Sequence, residues 1–148
     1  MPVRYQLVID CADPDRLARF WTAALSYELA PSPAGFATWN DFYRAVGVAE
    51  EDLVDGADRI SDPNGHGPSI WFHVVEDAKV VKNRLHIDIH ASGERTDPIE
   101  ARRRRVDAEA ARLAALGATI TGPLGGEEGL DHYAVGMKDP EGNEFDIN

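Results

Sequence analysis

Apolar and polar residues alternate strictly in two stretches of the chain, one at its start and one past its middle. Residues 3–10 read Val-Arg-Tyr-Gln-Leu-Val-Ile-Asp, and residues 83–90 read Asn-Arg-Leu-His-Ile-Asp-Ile-His. Such alternation is typical of a strand with one apolar face and one polar face. The second stretch places His86, Asp88 and His90 on a single face, which is an unusual concentration of titratable groups for one strand.

A helical pattern follows each of these strands. Asp13 is a good N-cap with Pro14 in the first turn, and apolar residues then recur at helical spacing as far as Leu25. The second helix is predicted over Ile99–Leu116, with Gly117 as its stop signal. Each helix therefore has an apolar stripe that can pack on a sheet.

Six further short strands complete the pattern, three after each helix. They are predicted at residues 27–30, 59–61, 69–75, 118–121, 132–137 and 143–147. The turns Asp62-Pro-Asn-Gly65 and Asp139-Pro-Glu-Gly142 each separate the last two strands of their half. Residues 39–54 fit neither periodicity well, and we interpret them as an irregular segment with a short helix.

The two halves have the same order of elements, a strand, a helix and three strands, which indicates an internal duplication. We expect a single domain over residues 1–148, with repeat one at about 3–75, a polar linker at 76–82 and repeat two at about 83–148.

The duplication brings four polar side chains into related positions. Overlaying the first strands of the two repeats pairs Gln6 with His86. Removing residues 66–69 from the longer turn of the first repeat pairs His73 with Asp146. All four lie opposite the apolar faces, so we expect them on the side of the sheet that no helix covers.

Composition and charge limit the partners of the protein. The chain has 148 residues, of which 43% are hydrophobic and 28% charged, as in a soluble globular domain. Its net charge of −11 argues against a nucleic-acid partner or an anionic membrane surface. The arginines at 102–105 fall in a predicted helix and are interpreted as a solvated face. No stretch has the length of a membrane span.

Cysteine use points to a reducing compartment. Cys11 is the single cysteine, so no internal disulfide can form, and no signal peptide is visible at the start of the sequence. We therefore expect a cytoplasmic protein. Cys11 could act as a nucleophile, but a small buried thiol at the end of a strand is the favoured interpretation.

The motifs resemble those of the vicinal oxygen chelate superfamily, especially its glyoxalase-like domains. The resemblance is carried by Gln6-Leu-Val-Ile-Asp-Cys-Ala-Asp13-Pro14, by Asn83-Arg-Leu-His86-Ile-Asp, and by Asp139-Pro-Glu-Gly-Asn-Glu-Phe145. It covers nearly the whole chain and is weakest at about 31–57. It implies an α+β fold in which two βαβββ units form a cup-shaped mixed sheet with helices outside and a small-molecule ligand inside. It also implies a homodimer.

The resemblance also implies a metal site. Metal-dependent members of the superfamily place His or Gln on the first strand of each unit and Glu on the last. Gln6 and His86 match the first-strand positions, whereas His73 and Asp146 stand where two glutamates are usual. This set of nitrogen and oxygen donors suits a divalent ion such as Zn, Ni, Mn or Fe. Asp88 and Glu144 share these faces and could replace Asp146 or support it.

Two functions remain open after this comparison of residues. One is a metal-dependent lyase, isomerase or dioxygenase, with Asp146 or Glu144 as a base whose pKa is raised toward neutral. The other is a metal-free protein that binds a drug or metabolite, and the departures from the glutamate pattern favour it slightly. In either case we expect Trp71 and Asp88 to contact the ligand, with Trp39 and Phe42 over it as a lid or as the packing of a long connection.

Overall fold

The computed structural model describes residues 3–54, 56–127, 129 and 131–148, and the chain divides into two compact units, Met1–Asp77 and Ala78–Asn148. The first unit contains β1 (Gln6–Cys11), α1 (Pro14–Leu25), β2 (Glu28–Leu29), α2 (Trp39–Ala45), a 3₁₀ helix (Glu50–Asp52), β3 (Arg59–Ser61) and β4 (Ser69–Val74). The second contains β5 (Asp88–Ile89), α3 (Ile99–Ala115), β6 (Thr119–Gly125), β7 (Tyr133–Lys138) and β8 (Glu144–Ile147).

Each unit is a four-stranded mixed sheet with one long helix packed on it. The strand orders are β1-β4-β3-β2 and β5-β8-β7-β6, and in both units the first strand is parallel to the last while the other pairs are antiparallel. This is the predicted α+β arrangement of two βαβββ units, with α2 as an addition in the first. Among the described residues, no helix is long and apolar enough to cross a membrane.

The apolar stripes of the helices bury one face of each sheet. In the first unit Leu17 and Trp21 of α1 are buried with Ile70 and Phe72 of β4. In the second unit the core residues are Val106, Leu113, Met137, Phe145 and Ile147. Cys11, at the end of β1, is buried as expected. Asp146 lies between buried Phe145 and Ile147 and therefore faces the other side of its sheet.

The predicted caps and turns are present. The Asp13 side chain accepts a hydrogen bond from the Arg16 amide at 3.1 Å and so begins α1. Gly65 and Gly142 have φ of +69° and +89°, a conformation that glycine adopts without strain. These two turns therefore occupy the same place in the two units.

One expectation about the arginine cluster is wrong. Arg102 is buried, at 6% exposure, because it lies one turn before buried Val106 on the face of α3 that packs on the sheet. Its Nε donates to the Asp97 carbonyl at 3.0 Å, and its guanidinium pairs with Asp131. Arg104 and Arg105 are exposed, as expected of a solvated face.

The strand registers correct the correspondence between the two halves. Trp71 is the register partner of Val8 and Arg59, and Asp146 is the partner of Asp88 and Gly136. Trp71 therefore occupies the position of Asp146, and the pairing of His73 with Asp146 predicted from sequence is wrong.

The cause of that error is the length of the insertion in the first turn. Trp71 follows Gly65 by six residues and Asp146 follows Gly142 by four, so two residues are inserted and not four. With two residues removed, His73 corresponds to Asn148. The pairing of Gln6 with His86 agrees with the registers, because it places Val8 opposite Asp88.

Candidate functional site

His86, Asp88 and Asp146 form a group on the second unit with donor atoms that could hold a metal ion. His86 Nδ1 lies 2.8 Å from Asp88 Oδ1 and 3.6 Å from Asp146 Oδ2. One donor atom from each residue lies within 4.8 Å of the other two. Asp88 and Asp146 are register partners on parallel strands and so share one face of the sheet. His86 lies two residues before β5 begins, and its contacts with both carboxylates place it with them.

The chemistry of the group fits a divalent cation. Neighbouring ligands of an ion with bonds of about 2.1 Å lie about 3.0–3.4 Å apart, and the two distances from His86 Nδ1 bracket this range. One imidazole and two carboxylates suit Zn, Mn, Fe or Ni. The three side chains are 28–42% exposed, so solvent and a ligand can reach them.

Two further residues orient Asp88. The Asn148 side-chain amide donates to Asp88 Oδ2 at 3.3 Å, and its Oδ1 accepts from His90 Nδ1 at 2.5 Å. The chain of contacts leaves Asp88 Oδ1 directed at His86. Residues that hold a ligand carboxylate in this way commonly affect metal affinity as strongly as some ligands do.

Glu144 is held in a different environment from the one expected of a base. Its carboxylate accepts a hydrogen bond from the backbone N–H of Asn83 at 3.0 Å and lies 3.0 Å from Lys79 Nζ. The Asn83 hydrogen bond and then Lys79 lower the pKa of Glu144 from 4.5 to about 2. The predicted rise toward neutral pKa is therefore wrong for Glu144, which is a weak base that fixes the segment leading to His86.

The predicted metal residues of the first unit lie apart from each other. Gln6 pairs with Ser69 across β1 and β4, whereas His73 pairs with Asp10, and His73 Nδ1 is 3.1 Å from Asp10 Oδ1. Four residues of strand, or about 13 Å, separate the two pairs. The structure thus brings His86 and Asp146 together and does not bring Gln6 and His73 together. A role for Gln6 or His73 in metal binding stays a prediction.

The first unit has aromatic residues near the positions that correspond to the candidate metal ligands of the second unit. Trp71 stands at the position of Asp146, and its ring lies 4.8 Å from that of His73. Arg59, at the position of Gly136, places its guanidinium 4.4 Å from the Trp39 ring and 5.3 Å from the Trp71 ring. The equivalent positions of the two repeats have therefore diverged in chemistry.

Trp39 and Phe42, predicted as ligand contacts, pack within the long connection. Trp39 Nε1 donates to the Ala30 carbonyl at 2.9 Å. Phe42 meets Trp39 edge-on at 5.9 Å and Phe36 at 5.4 Å. These contacts fix the position of α2 on the first unit, and a contact of either residue with a ligand stays a prediction.

Sequence reasoning missed Asn148 and Asp58, whereas Tyr43 was predicted with Trp39 and Phe42 as part of a lid or of the packing of the long connection. Asn148 shares the alternation of Asp146 and could have been found by extending the last strand by one residue. Asp58 offers no such signal, since its partners are 13 and 15 positions away in the chain: Trp71 Nε1 and Tyr43 Oη each lie 3.1 Å from Asp58 Oδ2.

Solved structures share this fold at low sequence identity. A hypothetical protein from S. aureus is 13% identical, with a TM-score of 0.58 over 99% of this chain and 93% of its own. A glyoxalase/bleomycin resistance protein/dioxygenase family enzyme from Burkholderia phytofirmans PsJN is 17% identical, with a TM-score of 0.55 over 97% and 94%. A fosfomycin resistance protein variant from Listeria monocytogenes, complexed with Mn(II) and 1S,2S-dihydroxypropylphosphonic acid, is 12% identical, with a TM-score of 0.58 over 100% and 90%.

The family assignment comes from the sequence itself. No curated protein is significantly similar to the chain. The model of a family described as the glyoxalase-like domain matches residues 6–148, nearly the entire length. The chain therefore belongs to the glyoxalase-like domain family of the vicinal oxygen chelate superfamily.

Proposed function

We propose that this protein is a metal-dependent enzyme that acts on a small molecule with adjacent oxygen atoms. The observation that carries the proposal is the group of His86, Asp88 and Asp146, with donor atoms within 4.8 Å of one another on an accessible face. A similar structure, the Listeria monocytogenes fosfomycin resistance protein, holds Mn(II) together with a dihydroxypropylphosphonic acid, a molecule of that kind. The reaction classes we propose are lyase, isomerase and dioxygenase.

The protein's own part in this chemistry is to hold the ion and orient the substrate. A divalent ion at this group would polarise a substrate oxygen and stabilise the negative charge that develops on it. His86, Asp88 and Asp146 would bind the ion, and Asn148 would keep Asp88 in position. Asp146 remains the candidate base, because Glu144 is engaged with Asn83 and Lys79.

The experiment is a measurement of bound metal. Wild-type protein is purified without chelator, and its metal content is compared with that of His86→Ala and of His66→Ala, an exposed histidine in the first turn that serves as a matched control. We expect one ion per chain in the wild type and in His66→Ala, and its loss in His86→Ala. Near-zero metal in all three proteins, also after incubation with Mn, Zn or Fe, would overturn the proposal.

A second function, small-molecule binding without metal, is favoured by the first unit. A cavity of about 890 Å³ opens there beside Tyr43, Asp58 and Trp71. This volume is in the range of small-molecule sites, and aromatic walls with few polar groups are typical of them. A protein of this kind would sequester its ligand and not transform it.

A further inference from the structure

Asp58 is a buried carboxylate whose charge is not balanced by a cation among the described residues. It is 7% exposed, and its Oδ2 accepts hydrogen bonds from Trp71 Nε1 and Tyr43 Oη, each at 3.1 Å. Among the described residues, its Oδ1 has no hydrogen-bond partner and no cationic side chain forms an ion pair with it. Buried carboxylates are ordinarily paired with a cation, because an unpaired buried charge is costly.

The neighbouring cation, Arg59, does not form an ion pair with Asp58. Arg59 follows Asp58 in the chain, but its Nη2 donates to Tyr43 Oη at 3.0 Å and its guanidinium stacks on Trp39. Tyr43 thus stands between the two charges, as acceptor from Arg59 and donor to Asp58. A cation that pairs with Asp58 would therefore have to come from outside the described residues.

The cavity beside Asp58 has the charge and the shape for such a group. Its lining includes the acids Glu51 and Asp52 of the 3₁₀ helix, and no lysine or arginine occurs among the described residues that line it. Leu53 and Val54 add an apolar wall on the same side. An acidic rim attracts cations, and an aromatic and apolar wall accepts an uncharged body.

We propose that this cavity binds a small organic cation: a protonated amine on an aromatic or aliphatic body. The ammonium group would pair with the Asp58 carboxylate, and the body would lie against Trp71 and the apolar wall. The inference rests on the second function proposed above and gives it a ligand class. It does not depend on the metal group, which lies on the other unit.

The test compares three probes that share one aromatic body. Phenethylammonium, 2-phenylethanol and phenylacetate are titrated into the full-length protein by calorimetry, in the presence of a chelator so that metal plays no part. We expect measurable affinity for the cation, weaker affinity for the alcohol and none for the anion. Added salt should weaken binding of the cation and leave the alcohol unaffected.

Two matched double variants locate the site. Glu51→Gln/Asp52→Gln removes two exposed acids at the rim, whereas Glu76→Gln/Asp77→Gln removes two exposed acids of the same unit outside the cavity. The first should weaken binding of phenethylammonium about three- to tenfold, and the second should leave it unchanged. Asp58→Asn should abolish the preference for the cation, with near-ultraviolet circular dichroism to check its fold; if it does not fold, the rim variants decide.

Each contrary result is informative. Equal affinity for the cation and the alcohol would overturn the ligand class while keeping a small-molecule pocket. An equal effect of the two double variants would place the cation elsewhere, and no binding of phenethylammonium would overturn the inference. The metal measurement is separate, so either proposal can fail without the other.

Discussion

Gly136 and Asp146 are direct partners on β7 and β8, and a side chain on the glycine would contact the carboxylate and collide with Thr121 of β6. A Cβ at Gly136 would lie 3.7 Å from Asp146 Oδ1 and 2.6 Å from Thr121 Oγ1. The second distance is shorter than any stable contact of a Cβ, so the glycine is required by packing against Thr121.

A substitution tests this packing requirement. Gly136→Ala should lower the free energy of unfolding by about 1–3 kcal/mol, because the new Cβ forces Thr121 on β6 into another rotamer or shifts the backbone. Urea denaturation measures the loss. In the double variant Thr121→Ala/Gly136→Ala the clash is gone. Its loss of free energy of unfolding should therefore be smaller than the sum of the losses in the two single variants. Simple additivity would show that the clash is relieved in another way.

The contact between Asn148 and Asp88 should appear in metal affinity. Asn148→Ala removes the amide that donates to Asp88 Oδ2, and we expect Mn(II) affinity to fall about tenfold. Calorimetric titration of Mn(II) measures the change. Asn64→Ala, in an exposed turn of the first unit, is the control that should bind as the wild type does. An unchanged affinity in Asn148→Ala would mean that Asp88 is not a ligand or needs no support.

The separation of Gln6 from His73 makes a prediction about their joint effect. Because about 13 Å of strand lies between their positions, one ion cannot use both. The loss of Mn(II) affinity in Gln6→Ala/His73→Ala should therefore equal the larger of the two single losses. A substantial loss in each of the two single variants would contradict this prediction, because it would require both residues to act on the ion.

Glu144 should give the second unit a stability that depends on pH. Its pKa is about 2 in the folded state against an ordinary value of 4.5, so its stabilising effect is complete above pH 4.5 and is lost as the pH falls toward 2. Glu144→Gln should be less stable than the wild type at neutral pH, and the difference should shrink through this window. Chemical denaturation across pH measures it.

The control for this pH effect is Glu94→Gln, which removes an exposed glutamate of the same unit. It should show no such change with pH. A difference between wild type and Glu144→Gln that is constant from neutral pH to pH 2 would mean that the ionised carboxylate is not what stabilises this segment.

Much of the fold was predictable because local signals and tertiary packing agree. Asp13 caps α1, the two Asp-Pro turns close their hairpins, and β3 has the predicted bounds Arg59–Ser61. Strand β6 runs further than predicted, to Gly125, because its residues pair with β7 as far as Tyr133. A glycine-rich stretch gives no sign of such pairing by itself.

The strand of His86 shows why the candidate site was harder to predict. The alternation over residues 83–90 predicts eight residues of strand, but β5 consists of Asp88–Ile89 alone. In the parallel register of Asp88 with Asp146, residues 83 and 84 fall opposite the turn at 141 and 142, which cannot continue a strand. Glu144 holds Asn83 there through its side chain.

The same limit explains the false pairing of His73 with Asp146. The sequence shows that the first turn is longer than the second but does not show where the extra residues end. Only the register of Val8 and Arg59 with Trp71 fixes that point. The sequence predicted His86 and Asp146 as ligands and Asp88 as their substitute or support, but it did not show that Gln6 and His73 lie apart from each other.

Trp71 and Arg59 of the first repeat stand at the positions that Asp146 and Gly136 occupy in the second. This difference has a consequence for how such a protein can evolve. The two repeats have the same backbone arrangement. The side chains of one repeat can therefore change within that arrangement while the other repeat keeps its own side chains. Duplication thereby separates two selective pressures that would conflict in a single site. We therefore expect that either the acidic group or the aromatic group can be lost while the fold is retained.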